Sequence, residues 1–286
     1  MKQKTDYYCR LASAIGVVLC MLATGAVQGQ EKAEPSLAEQ ARDPTASVTA
    51  FAIRYDTITS FHNLPDADQS QVVLQPIIPW KWGEQKHIAR ITLPYVTSAP
   101  DWAALSGDDA AAGLPPNFVP TAKQEGLADI AAVDLFLFDT SWGRQGFGPA
   151  IIMPTASDPA LGSEKWSIGP AYVAITKFGD VSAGFLAQWL VSVAGKDDRD
   201  DVNSFSLQPF AGKGFGDGWS IQLSNMNFNY DVERSRWNSI PLGARLEKLI
   251  QIGSLPARLF VEYEHNFQDD GVAAEDTIRI AFVPLL

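Results

Sequence analysis

Arg258, Glu262 and Glu264 are separated by even numbers of residues, so in an extended chain all three share a face, opposite Ala257, Leu259, Val261 and Tyr263. At a rise of roughly 3.4 Å per residue the two acids stand about 7 Å apart. Arg90, Asp134, Arg245, Glu247 and Arg279 lie in segments of the same alternating kind. Charges of mixed sign on one face admit two readings. They either steer and filter a solute along a path they line, or they pair with one another and hold an interior together. If they line a path, the excess of acid mildly favours cations or neutral solutes over anions.

Hydrolytic chemistry finds little to work with, because only His62, His87 and His265 are available as bases. His265 alternates onto the face opposite Glu262 and Glu264 and reads as a polar strand-end residue. His87, among Glu84, Lys86 and Arg90, reads as part of a solvated rim, and His62 falls in a loop with Asp66 and Asp68. No His-Glu-x-x-His, Cys-x-x-Cys, phosphate loop or Gly-x-Ser-x-Gly occurs. Asp197, Asp198, Asp200, Asp201, Asp269 and Asp270 are candidate Ca²⁺ ligands but lack the EF-hand spacing. No catalytic residue, metal ligand or cofactor is therefore assigned, and an enzyme is not expected.

The elements that must position the charges follow from pattern. From Gln71 onward, segments of about 10 to 14 residues alternate apolar with small or polar side chains, with Gly, Asp, Asn and Ser between them. Val181, Ala183, Phe185, Ala187, Trp189, Val191 and Val193 oppose Ser182, Gly184, Gln188 and Ser192; Trp219, Ile221 and Leu223 oppose Ser220, Gln222 and Ser224. Soluble strands usually run five or six residues, whereas a tilted strand needs roughly 9 to 11 to cross hydrocarbon. In lipid, strands can span only as a closed ring. The expected fold is all-β, a transmembrane antiparallel up-and-down barrel. Candidate strands are 71–82, 86–98, 124–139, 145–156, 164–178, 181–194, 202–213, 218–231, 238–250, 255–267 and 275–285. Bacterial single-chain barrels have even strand counts, so these eleven imply about twelve, with ten as the other even number. Trp80, Trp82, Tyr95, Trp142, Trp166, Tyr172, Trp219, Tyr230, Trp237 and Tyr263 fall near strand ends, as in the aromatic girdles of such barrels, although core packing in a soluble β-protein would also use them. A charge facing mid-bilayer costs about 2 to 4 kcal/mol, so the eight charged residues are assigned to the lumen.

Ahead of the barrel, Lys2, Lys4 and Arg10 precede an apolar run from Leu11 to Val27 with Gly25, Ala26 and Gly29 at its end: a secretory signal, cleaved after Ala26 or Gly29. The run is short for a membrane anchor, and Leu19 stands where a lipoprotein signal before Cys20 needs a small residue. Both cysteines, Cys9 and Cys20, would leave with the signal. Residues 1–29 hold three basic side chains and one acid, so the 22 and 33 of the full chain become 19 and 32, a net charge of −13 that argues against nucleic acid as a partner. The organisation read is residues 1–29 signal peptide, 30–69 N-terminal tail with a lumen plug at 48–62, and 70–286 barrel, with a long surface loop at 99–122. The segment 46–58 also admits a reading as the missing strand.

The chain resembles the outer-membrane β-barrels of the meta-pathway phenol-degradation family. The resemblance rests on Gln75-Pro76-Ile77-Ile78-Pro79, Gly126-Leu127-Ala128-Asp129-Ile130, Gly148-Pro149, Pro154-Thr155-Ala156, Leu161-Gly162 and Lys165-Trp166-Ser167-Ile168-Gly169-Pro170. It continues through Gln208-Pro209-Phe210, Pro241-Leu242-Gly243, Lys248, Gly253 and Pro256. Ala128 departs from the second glycine of that pattern, and the chain ends Phe282-Val283-Pro284-Leu285-Leu286 rather than on an aromatic. The resemblance implies an outer-membrane channel or transporter for small solutes, aromatic or hydrophobic compounds among them. Its partners would be outer-membrane lipid, the barrel-assembly machinery and the solute. A non-conducting structural or sensing barrel is the second reading and a lipid-modifying enzyme the third.

Overall fold

In a computed structural model, residues 36–100 and 123–286 are described; the signal segment 1–29 and all but the first two residues of the 99–122 loop lie outside them. Fifteen strand segments follow in chain order: β1 Ala50–His62, β2 Gln69–Trp82, β3 Gln85–Pro100, β4 Lys123–Leu127, β5 Ile130–Asp139, β6 Gly143–Met153, β7 Lys165–Phe178 and β8 Val181–Gly195. The rest are β9 Asn203–Gly216, β10 Trp219–Leu223, β11 Phe228–Asp231, β12 Arg236–Ser239, β13 Pro241–Ile252, β14 Leu255–Asn266 and β15 Ala273–Pro284. Each pairs antiparallel with its neighbours, and β15 returns to pair with β1. β4 and β5 both lie against β3, β10 and β11 both against β9, and β13 and β12 continue one another against β10 and β11. Three ring positions are thus strands broken once, and the ring closes with twelve.

The segment 48–62, expected as a plug, is instead the missing strand, and the barrel begins at Ala50 rather than at residue 70. Its period is two: Ala50, Ala52, Arg54 and Asp56 face inward, while Ile53 and Tyr55 are exposed outside. Small and charged inner residues make such a strand look only semi-apolar, which is why it read as a lumen filler. The filler proper is the stretch before it. Helix α1, Leu37–Arg42, carries a capping box at Ser36 and Glu39, and residues 40–48 line a cavity inside the ring.

The two ends of the ring differ. At one, the connections are the pairs 83–84, 179–180, 217–218 and 253–254 and the triplet 140–142; Gly83, Gly179, Gly218 and Gly253 have positive φ, as tight hairpins require. At the other, connections run from four residues (232–235) to eleven (154–164) and longer. We call these the turn end and the loop end.

The outer surface is apolar along the whole ring, with Ile53, Leu74, Ile168, Phe185, Val191, Ile221, Leu259, Val261 and Ile280 all exposed. Such a belt suits lipid rather than water. Trp82, Trp142, Phe178, Phe215 and Trp219 border it at the turn end, and Tyr95, Trp166 and Trp237 at the loop end. The inner face is divided. One arc is apolar, built from Ile88, Val133, Leu135, Leu137, Val173 and Leu186; the facing arc, on β1, β13, β14 and β15, is charged.

A closed ladder resists SDS, so boiled and unboiled protein are expected to migrate differently on a gel. Deleting residues 36–48 should leave that difference intact, and deleting 50–62 should abolish it, because the second deletion removes the strand that closes the ring. Equal behaviour of the two deletions would contradict this topology.

Candidate functional site in the barrel lumen

Cross-strand register builds the charged arc. Gln71, Asp56, Arg279, Glu262, Arg245 and Gln222 are directly opposite one another in turn on β2, β1, β15, β14, β13 and β10. Opposed residues on a ladder share a face, so the row alternates in sign along the wall. Glu262, fully buried, receives Arg279 Nη1 at 2.7 Å and Arg245 Nη2 at 2.7 Å. Arg279 Nη2 also reaches Glu264 at 3.0 Å, and its Nε lies 3.9 Å from Asp56. Asp56 takes Arg54 Nε at 2.6 Å and the Gln71 amide at 3.2 Å, and Glu264 accepts the Ser224 hydroxyl at 3.0 Å. The Arg245 guanidinium lies 4.0 Å from the centre of the Phe260 ring.

Arg258, expected beside Glu262 and Glu264, turns to Glu247 at 3.4 Å and gives its other bond, at 2.7 Å, to the carbonyl of Ala41 in the plug. Four cations (Arg54, Arg245, Arg258, Arg279) therefore meet four anions (Asp56, Glu247, Glu262, Glu264). Each is a charge withdrawn from water, tolerable only because it is paired and hydrogen-bonded.

The plug is held at the turn end. Lys177 reaches Glu39 at 3.0 Å, and Arg144 donates to the Thr45 carbonyl at 2.8 Å. The amide of Leu286 donates to the Thr49 carbonyl at 2.8 Å. Glu39 is also bonded by the Ser36 amide at 2.9 Å. That amide first and Lys177 second outweigh burial and hold the carboxyl down at about 2, against its ordinary 4.5.

Above the plug the lumen is a chain of cavities. A mouth of about 680 Å³ at the loop end and a middle cavity of about 190 Å³ share Ser204 and Asn229. The middle cavity and one of about 160 Å³ beside the plug share Arg90. A small pocket of about 70 Å³ sets Arg90 and Gln208 against Ile88, Val133, Leu135, Leu186 and Phe210. Among the described residues no carboxylate pairs with Arg90, nor with Arg42 of the plug, and both line the cavity beside the plug.

Seven of the eight charged residues singled out in the sequence, all but Asp134, lie on the inner face. Asp134 does not. Val133, Leu135 and Leu137 turn inward onto Ile88, and parity therefore sends Asp134 to the outer face. There its carboxylate accepts the Trp80 indole N–H at 2.9 Å and lies 2.9 Å from His87 Nδ1. His87 is correspondingly no solvated rim residue: it is buried between Trp80, at 4.0 Å between ring centres, and Phe136, at 4.3 Å. Sequence reasoning missed Arg54 and Asp56 because they lay in the supposed plug; their even spacing from Ala50 and Ala52 was the available signal. The acidic run 197–201 is answered by cations: Lys165 reaches Asp201 at 3.0 Å and Arg234 reaches Asp200 at 2.6 Å.

No model of a known protein family matches the chain, and no curated protein matches it. Among solved structures, an outer membrane channel from Pseudomonas putida F1 is similar, with a TM-score of 0.57 at 12% identity over 92% of this chain and 100% of that one. The outer membrane phospholipase A of Escherichia coli has a TM-score of 0.41 at 14% identity over 83% and 92%. The Pseudomonas putida toluene transporter TodX has 0.40 at 8% over 89% and 94%. The last two scores are too low to carry an inference. The first likeness establishes the architecture: the chain has the fold of an outer-membrane β-barrel.

Glu262→Gln leaves Arg245 without its carboxylate and Arg279 with one fewer. Removing one partner of a buried pair typically destabilises by about 3 to 5 kcal/mol. The variant is expected to convert from the folded to the unfolded gel band at a clearly lower temperature than the parent. An unchanged conversion temperature would show that this row does not hold the wall.

Proposed function

We propose that the chain is an outer-membrane channel for small solutes, entered from the loop end and closed at the turn end by residues 36–48. The observation that carries this reading is the succession of cavities from the mouth to the plug, neighbours having Ser204 and Asn229, and then Arg90, in their common walls. Short turns on the periplasmic side and longer loops outside are the rule for such barrels, which sets the orientation. A cleaved signal peptide and the barrel-assembly machinery complete the route to that membrane.

The acid excess of the whole chain does not reach the neck. Glu262 and Glu264 are paired with arginines, and the cations without a carboxylate partner in the lumen are Arg42 on the plug and Arg90 beside the apolar arc. A guanidinium next to an apolar wall suits a compact solute with an anionic or strongly polar head on an aromatic or aliphatic body. That chemistry agrees with the resemblance to the meta-pathway phenol-degradation family, and it replaces the mild preference for cations read from composition. The balanced ion pairs of the wall favour a second reading, a non-conducting structural barrel; single-channel recording separates the two.

In a salt gradient across a planar bilayer, Arg90→Gln is expected to move the reversal potential toward cations. The shift should fade as the Debye length falls from about 10 Å at 0.1 M to about 3 Å at 1 M. A conducting variant with unchanged selectivity would remove Arg90 from the path, and no conductance even after deletion of residues 36–48 would leave the structural reading.

Acid should loosen the plug. Because the Glu39 carboxyl is held low, the Ser36 cap that supports the plug helix and the Lys177 pair that joins it to the wall are both complete above the ordinary 4.5 and are lost as pH falls toward about 2. Openings are expected to become more frequent across that interval in the parent and to lose this dependence in Glu39→Gln. Parent and variant responding alike to acid would place the latch elsewhere.

A further inference from the structure

The seam between β1 and β15 is irregular at the loop end. Ser60 is opposite Asp276 and Phe61 opposite Ala274, so Glu275 is one residue more than β1 can pair. Such a bulge suspends alternation and re-aims a side chain. Here it brings Glu275 to the side of Asp276, its chain neighbour, where regular pleating would have sent the two to opposite faces. His265 stands opposite Asp276 on β14. One nitrogen or oxygen from each of His265, Glu275 and Asp276 lies within 4.8 Å of the others. His62, at the end of β1, brings Nδ1 to 3.8 Å from Glu275 Oε1, and its ring centre is 6.1 Å from that of His265.

The protonation of His62 can be read from its partner. Nε2 lies 2.7 Å from the carbonyl oxygen of Asn266, which can only accept, so Nε2 carries the proton. Nδ1 is then the nitrogen left facing the Glu275 carboxylate, a contact that either a proton or a metal ion between the two would satisfy. An imidazole whose N–H is fixed on a backbone carbonyl while its other nitrogen faces outward is how metal-binding histidines are usually oriented. Asp276 is oriented too: its Oδ2 accepts the Ser60 hydroxyl at 3.1 Å, and its Oδ1 accepts the Tyr263 hydroxyl at 2.6 Å and lies 2.9 Å from His265 Nδ1, a contact that a bound ion would replace.

We propose that His265, Glu275 and Asp276, the three groups that converge, bind a divalent transition-metal cation, Zn²⁺ being the best fit, at the loop-end rim of the barrel, with His62 beside Glu275 as the fourth ligand. Two imidazoles and two carboxylates make a mixed N and O set that matches four-coordinate zinc. Ca²⁺ takes six to eight oxygens and is poorly served by imidazole. The ligands come from β1, β14 and β15, so a bound ion would pin the strands on both sides of the closing seam.

The test is calorimetric titration of the tag-free full-length protein in detergent near neutral pH, with Zn²⁺ alone as titrant. One ion per barrel is expected. His62→Gln and Glu275→Gln should each weaken binding by roughly 10- to 100-fold or more, the range seen even for groups one step removed from the metal. Millimolar Ca²⁺ should not compete. Glu275 makes no hydrogen bond among the described residues, so Glu275→Gln is expected to keep the heat-dependent gel shift and remains informative if His62→Gln does not fold. Absence of stoichiometric binding, or binding that survives in a folded Glu275→Gln variant, would overturn the proposal and leave a hydrogen-bonded cluster without an ion. Displacement by Ca²⁺ would overturn the choice of metal.

Discussion

Every backbone N–H and C=O that passes through hydrocarbon must find a partner within the protein, since lipid offers none. That constraint makes the β1–β15 pairing the interaction on which the rest depends. Without it the sheet would present two open edges, and the outer apolar belt would have no continuous surface to cover. Once the ring closes, the register of each pair decides which residues face lipid and which face the lumen. A slip of one residue would exchange the two faces of a strand entirely. Where the ladder is interrupted, at 224–227 between β10 and β11, the chain turns inward: Ser224 and Met226 are buried, and the Ser224 hydroxyl finds Glu264.

The charged row crosses the closing seam, and this is more than coincidence of position. Asp56 on β1 faces Arg279 on β15, and Arg279 faces Glu262 on β14, which faces Arg245 on β13. Buried ion pairs are weak contributors to net stability because desolvation offsets attraction. They are strong discriminators, however, because a misregistered seam would leave several of these charges unpaired in a dry interior. Burial of Glu262 between two arginines is therefore best understood as specifying which strands meet and where. The same pairing neutralises these acids, which composition could not show: charge counted along a chain says nothing about which charges neutralise one another.

Most of the architecture was legible because a membrane strand has a strong local signature. Val181 to Val193 and Leu255 to Asn266 each carry enough period-two contrast to be recognised alone, and the aromatic ends mark their limits. β1 escaped because its inner residues are alanine, arginine and aspartate, a mixture that lowers contrast without breaking the period. Asp134 was misplaced by a rule that is sound on average, that charge avoids the lipid face. The exception is explained by its neighbours: Val133 and Leu135 are committed to an apolar arc of the lumen, and Trp80 and His87 supply the hydrogen bonds that let a carboxylate sit outside, near the turn end. His87 was misread for the matching reason, since a histidine beside Lys86 and Glu84 looks solvated until Trp80 and Phe136 close over it. Such contacts join residues distant in sequence and leave no local pattern.

The plug shows a different limit. Two of its anchors are main-chain carbonyls, Ala41 receiving Arg258 and Thr45 receiving Arg144, and two are carboxylates, Glu39 on Lys177 and Asp43 at 3.6 Å from Arg144. A carbonyl is present whatever the side chain, so half of this recognition leaves no trace in the sequence of residues 36–48. The arginines that read it are conspicuous, but each also has a carboxylate nearby, Glu247 for Arg258 and Asp139 for Arg144. Their bonds to the plug are accordingly shared rather than exclusive. Were the plug to leave, both guanidiniums would keep an anionic partner, so undocking would not strand a charge in the lumen. Because residues 36–48 run directly into β1, they stay tethered to the ring independently of these side-chain contacts.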